Sequence, residues 1–278
     1  MKISKDGKTV DILHGGAILP GHTLTLLDPN TGLAIAESKA VSSEFIPGTG
    51  HKRIILETPF PPDIAVMETL KEREMTSAEH FAFTQNPTFQ RGRIAFVVID
   101  QKYTGSGTII TGNSFRNAYR GVLSKVSNML VENNIIEGMD REAQSIMGYL
   151  HFWREPHPVH NVVIRNNQFR NNGGGVSSYY ELFGEHCAAN RMPFRYVAVE
   201  NNKFINSKKS DFSNCQGVKI SGNYFDKNSL LSFGISKNIT VERNLFELPE
   251  KNAIRKSPKA TSIHFEKNVF SANSPANR

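Results

Sequence analysis

From residue 108 to residue 270 the chain alternates apolar runs of three to five residues with breaks rich in Asn and Gly. One phrase returns seven times: an apolar residue, two variable ones, Asn, one variable residue, then an apolar residue. It reads "TIITGNSF" at 108–115, "MLVENNII" at 129–136, "VVIRNNQF" at 162–169 and "VAVENNKF" at 197–204. "VKISGNYF" at 218–225, "ITVERNLF" at 239–246 and "IHFEKNVF" at 263–270 complete the set. The runs are too short for helices, and Val, Ile and Phe dominate them, so each is a short strand ended by a turn.

The motif residues Asn113, Asn134, Asn167, Asn202, Asn223, Asn244 and Asn268 stand 21, 33, 35, 21, 21 and 24 residues apart. A basic period of 21 belongs to stacked repeats. One unit, "NSFRNAYRGVLSKVSNMLVE", holds three strand-like stretches and so describes one coil of a parallel β-helix. Leucine-rich repeats have a similar period, but their leucine framework is missing. Strands one coil apart pair at about 4.8 Å. The chain must turn sharply between inward residues such as Val199 and Phe204. Asn suits that corner because it tolerates the left-handed conformation, and stacked Asn side chains can bond along the axis. The motif Asn residues are therefore expected to be scaffold, all in one column.

Two coils depart from the period. Those starting at Asn134 and Asn167 run 33 and 35 residues. Gly175 keeps its distance from Asn167, as Gly121 does from Asn113, and Asn161 keeps its place before Ile164. Both insertions therefore lie between the second and third strands, and two long loops should emerge side by side. Loops on a rigid scaffold are where binding and catalysis concentrate.

Upstream the texture changes. "HTLTLLDPNTGLAIAESKAV" is a hairpin, with alternating apolar residues around Asp28-Pro29-Asn30-Thr31-Gly32, and "RIILETPFPP" is a further strand ended by prolines. The expected organisation is all-β: a small β-barrel or sandwich-like domain over 1–62, a connecting segment over 63–95 and about seven β-helix coils over 96–278. The connecting segment includes a short helix over 63–80, and "RIAFVVID" at 93–100 is a strand leading into the first coil. Residues 1–95 would cover the open end of the β-helix. A bare end would instead invite homo-oligomer formation through its strand edges.

Composition narrows the function classes. Lys and Arg number 33 against 26 Asp and Glu, a net charge of +7. This weakly favours acidic partners such as an anionic polysaccharide. No block of like charge and no basic helix stripe occurs, so nucleic acid is not an expected partner. No apolar run approaches membrane-span length, and no membrane partner is expected. "MKISKDGKTV" lacks the apolar core of a signal peptide. The bare sequence reads as intracellular, or as secreted or periplasmic if the chain is a fragment. Cys187 and Cys215 have no metal-like spacing.

The chemical candidates lie in the long loops. "GYLHFWREPHPVH" at 148–160 holds the single Trp, Trp153, with Phe152, Glu155, His151, His157 and His160. An aromatic ring beside a carboxylate suits sugar binding, the ring covering the apolar face of a pyranose. Alternatively Phe152 and Trp153 pin the loop to the coil. "SSYYELFGEHCAANRMPFR" at 177–195 offers Tyr179, Tyr180, Glu181, Glu185, His186 and Arg191, and Asp211 follows in the next coil. Glycoside hydrolysis needs two carboxyl groups across the scissile bond, which makes Glu155, Glu181, Glu185 and Asp211 the candidate catalytic set. The alternative for any single one is a surface ion-pair partner. No ligand set for a metal is present, no cofactor is expected, and a calcium-dependent lyase lacks its Asp cluster.

"NAYRGVLSKVSNMLVENNIIEGM" followed by "FWREPHPVHNVVIRNNQF" resembles the α-1,3-galactosidases of glycoside hydrolase family 110. That resemblance implies a right-handed β-helix with an inserted barrel-like β-domain, to which "PGHTLTLLDPNTGLAIAE" is similar. It also implies inverting hydrolysis of α-linked galactose from a glycan. In the family stretch a Gly precedes the Pro; here Phe152-Trp153-Arg154-Glu155-Pro156 lacks it. The family also carries coils with catalytic Asp residues ahead of the β-domain, where this chain begins. The chain is then a fragment or a reduced relative. A non-catalytic glycan-binding β-helix, of adhesin or phage-tail type, and a polysaccharide lyase are the alternatives.

Overall fold

A computed structural model describes residues 2–13, 18–27, 34–60, 73–74, 93–94, 97–100, 105–148, 159–180 and 192–271. They form two compact units, one within residues 2–100 and one within 105–271.

The larger unit is a parallel β-helix of three sheets. The first sheet follows the motif Asn and stacks Ser114–Arg116, Ile135–Glu137, Gln168–Arg170, Lys203–Ile205, Tyr224–Phe225, Leu245–Phe246 and Val269–Phe270. The second stacks Val122–Ser124, Glu142–Gly148, Gly174–Tyr180, Lys209–Phe212, Leu230–Phe233 and Ile254–Lys256. The third stacks Ile109–Thr111, Met129–Glu132, Val159–Arg165, Phe194–Glu200, Cys215–Ser221, Ser236–Glu242 and Ala260–Glu266. We number the coils one to seven from Asn113 to Asn268. Every pairing between coils is parallel and in register, apart from a shift between Gly174 and Ser177.

The seven motif Asn residues form one column, as expected. In the first six, the backbone N–H donates to Oδ1 of the Asn one coil on, at 2.9 to 3.0 Å. Each of their Nδ2 atoms donates to the same oxygen. From Asn134 onward Nδ2 also donates to a carbonyl of the preceding coil, such as Ile164 O for Asn202. The conformational part of the expectation is corrected. The left-handed residue is the one before the motif Asn: Gly112, Asn133, Asn166, Asn201, Gly222, Arg243 and Lys267, with φ between 53° and 70°. One position bends the chain and the next bonds the coils. The "NN" pairs look alike in sequence but divide these tasks.

Inside the corner, the aromatic residue two places after the motif Asn stacks on its counterpart. Phe169, Phe204, Phe225, Phe246 and Phe270 make a continuous ring column with centroids 4.5 to 4.9 Å apart. Coil six is 24 residues long because the helix Glu250–Ala253 fits between its first and second strands, behind Pro249. Four residues carry too little periodicity to announce a helix.

The smaller unit is an antiparallel sheet. Its order is Lys2–Ile3, Thr9–Leu13, His51–Leu56, Ala34–Phe45, Thr23–Leu27, Val97–Asp100. The expected hairpin is present: Thr23–Leu27 pairs with the first half of Ala34–Phe45, whose second half pairs with His51–Leu56. Ile3, Val10, Ile18, Leu24, Leu26, Ala40, Ile54, Leu56 and Phe60 make its core. Two sequence expectations change here. Val97–Asp100 pairs with Thr23–Leu27 and belongs to this sheet, so it does not open the β-helix at residue 96. An apolar run reports that a strand exists but not which sheet completes it. The span expected to be helical, 63–80, lies outside the described residues except for Arg73–Glu74, which pairs as a short strand with Arg93–Ile94.

Candidate functional site

The lengthened coils open at one corner. Coil two leaves the second sheet after Gly148 and rejoins the third at Val159, while coil three leaves after Tyr180 and is described again from Met192. Gly148 and Tyr180 are register partners, as are Val159 and Phe194. Both departures are therefore one rung apart, and so are both returns, as the spacing required. In coil four the same corner is tight. Ser213 N–H donates to Ser178 Oγ at 2.9 Å, and Ser178 Oγ donates to Ser213 O at 2.8 Å.

Most of the candidate residues lie outside the described residues: His151, Phe152, Trp153, Glu155 and His157 in the first segment, and Glu181, Glu185, His186 and Arg191 in the second. Tyr180 is described in its backbone alone, as the last residue of its strand. Tyr179 and Asp211 are described, and the fold brings them together. Ser145, Ser177, Asp211 and Ser232 are successive register partners on the outer face of the second sheet. Tyr179 lies two residues beyond Ser177 on that same face, so it is the diagonal neighbour of Asp211, roughly 7–8 Å away between Cα atoms. Its side chain is 46% exposed. The Asp211 carboxylate is 3.5 Å from Lys209 Nζ and 30% exposed, which is the geometry of an ordinary surface ion pair. Ser145 and Ser177 face outward yet are buried, and Ser177 Oγ donates to Ser145 Oγ at 3.4 Å.

Across the corner, the second residues of the third-sheet strands are His160 and, one rung on, Arg195. His160 Nδ1 lies 3.0 Å from Ser127 Oγ, and its backbone N–H donates to that oxygen. Burial and then the Arg195 charge push the imidazole below its ordinary pKa, favouring the neutral ring. Cys215 opens the next strand facing inward, and burial raises its thiol to about 12. It is a packing residue with no nucleophilic character at neutral pH. Among the described residues no three His, Cys, Asp or Glu side chains gather as metal ligands. A cleft lined by Pro249, Glu250, Lys251, Ile254 and Lys256 lies beside the short helix of coil six, away from the lengthened coils.

Residues 83–193 match the family described as "Right handed beta helix region". The chain is a right-handed parallel β-helix protein. It is also 28% identical, over 191 residues, to alpha-1,3-galactosidase A of Peterkaempfera griseoplana. That match covers 66% of this chain and 24% of the galactosidase, so the chain spans about a quarter of the length of its relative. The resemblance to family 110 glycoside hydrolases seen in the motifs holds at the level of fold and likeness.

Two exposed side chains at this corner, Arg195 and Tyr196, were passed over in the sequence. The signal was present: with the coils aligned, Tyr196 occupies the position of Asn161 in "NVVIRNN". It is visible only once strand register, rather than the motif Asn, is followed.

Proposed function

We propose that this β-helix binds a galactose-containing glycan at the corner of its two lengthened coils and hydrolyses an α-linked galactose there. The observation that carries this is the convergence of both insertions on one edge of a scaffold similar to an α-1,3-galactosidase. Inverting hydrolysis needs one carboxylic acid to protonate the leaving oxygen. A carboxylate about 6.5–9.5 Å away activates water on the opposite face. Asp211 is the candidate planted on a strand. Glu155, Glu181 and Glu185 are its candidate partners, with Trp153 stacking on the sugar. Tyr179 lies within reach of the same ligand.

A second reading, glycan binding without turnover, is favoured by the ion pair that already engages Asp211.

The test is a glycan array followed by reducing-sugar release. Glu155→Gln and Trp153→Ala should each weaken binding, with the melting temperature nearly unchanged. Loss of a binding carboxylate should cost roughly 1.5–3 kcal/mol of affinity. Where the parent releases galactose, Glu155→Gln should slow it by at least about 10²–10⁴. Binding without release selects the second reading. Unchanged binding in both variants, or unfolding by Trp153→Ala, ends the proposal for this loop.

A further inference from the structure

Each strand of the third sheet from coil two onward opens in the same way: one inward residue, one outward residue, then a residue in the left-handed conformation. The left-handed column runs Asn128, Asn161, Tyr196, Gly217, Asn238 and Ser262, with φ from 53° to 69°. Asn, Gly and Ser are small, and the first two tolerate this backbone well. A tyrosine there, at φ 57°, is an outlier whose strain needs a reason. Core packing is not the reason, because Tyr196 is 61% exposed. Its ring lies over the next coil at Gly217, where a Cβ would come within 3.2 Å of Tyr196 Cδ1. The ring therefore rests on a bare glycine and turns most of its surface to solvent.

Arg195 precedes it on the outer face. Four other basic residues on this face are neutralised. Arg165 meets Glu132 at 2.8 Å, Lys219 lies between Glu200 and Glu242 at 3.4 and 3.5 Å, and Arg243 and Lys267 pair with Glu242 and Glu266. Arg195 is exposed and makes no ion pair among the described residues. Its row reads His160, Arg195, Gln216, Lys237 and Thr261, without a carboxylate. An exposed ring and, one residue before it, a guanidinium with no carboxylate partner among the described residues are complementary to a pyranose bearing an anionic group. The ring takes the C–H face, and the guanidinium takes a carboxylate or sulfate through paired N–H donors.

We propose that Tyr196 and Arg195 form a subsite for an anionic sugar residue, uronate or sulfated, on the third-sheet side of the lengthened corner. The subsite rests on the glycan reading above and adds a charge preference to it.

The columns themselves supply clean variants. Tyr196→Asn installs the residue of coils two and five, Tyr196→Gly that of coil four, and Arg195→Gln the Gln216 of the same row. Calorimetric titration of the full chain at fixed ionic strength would use matched pairs. These are oligogalacturonate with its methyl ester, and a sulfated galactan with its desulfated form. Single-stranded DNA serves as a third arm. The parent should bind one anionic member at least about tenfold tighter than its neutral partner, and Arg195→Gln should remove that preference alone. Both Tyr196 variants should weaken both members while keeping or raising the melting temperature. The carboxylated and sulfated arms identify which anion is read.

Equal binding of charged and neutral partners, or an indifferent Arg195→Gln, overturns the subsite while leaving the glycan reading intact. Equally tight DNA binding with the same loss in Arg195→Gln overturns it in favour of a general polyanion surface. If the parent binds no glycan of either kind, subsite and glycan reading fall together.

Discussion

Phe225→Ala is expected to cost about 3–5 kcal/mol of folding stability, toward the upper end of that range for a buried phenylalanine. Its ring is 1% exposed and sits mid-column, with Phe204 at 4.5 Å and Phe246 at 4.8 Å, both nearly parallel to it. Truncation removes the transfer energy of the ring and two stacked contacts worth roughly 0.5–1.5 kcal/mol each. The neighbouring coils are held by their hydrogen bonds and cannot close the gap. Phe270→Ala, at the end of the column and only partly buried, should cost less. Urea denaturation of both variants checks the gradient. A loss under about 1 kcal/mol at Phe225, typical of surface changes, would mean that the ring column is not core. Stacked coils can unfold in parts, so two spectroscopic probes should be compared.

Asn202→Ala is expected to be similarly damaging, for a polar reason. Asn202 is 1% exposed. Its Oδ1 accepts from the backbone N–H of Asn167 at 2.9 Å and from Asn167 Nδ2 at 3.0 Å. Its Nδ2 donates to Ile164 O at 2.9 Å and to Asn223 Oδ1 at 3.0 Å. Alanine strands the Asn167 amide and the Ile164 carbonyl where water does not reach. Each stranded group costs about 1–3 kcal/mol, so a total of about 2–6 kcal/mol is expected. Asn202→Asp should be no better, because a carboxylate cannot donate and would face two oxygens. The neighbouring Asn201→Gly should be nearly neutral, since Gly112 and Gly222 already serve at that left-handed position. Measuring the two adjacent substitutions separates the tasks within one "NN" pair. Equal tolerance at both positions would refute the ladder as a source of stability.

Much of the fold was legible in the chain because a β-helix is a local repeat. A strand pairs with its own sequence equivalent, so a 21-residue period, an Asn column and an inward Phe are one fact seen three ways. The corner of the insertions was legible for the same reason, since the intervals from Asn113 to Gly121 and from Asn167 to Gly175 locate the extra residues in the coil. Whatever depends on distant partners was not legible. Val97–Asp100 looked like the first β-helix strand because an apolar run does not name its neighbour; pairing with Thr23–Leu27 decides it. The left-handed residue was assigned one place too late, because both residues of an "NN" pair can adopt that conformation and only the hydrogen bonds between coils tell them apart. At the candidate site, composition singled out Trp153 and the glutamates. Three-dimensional register instead set Tyr179 beside Asp211 and placed the exposed Tyr196 next to Arg195, which has no ion pair among the described residues. Exposure and ion pairing depend on which residue lies one rung away, and in the lengthened coils that residue is 33 or 35 positions distant along the chain.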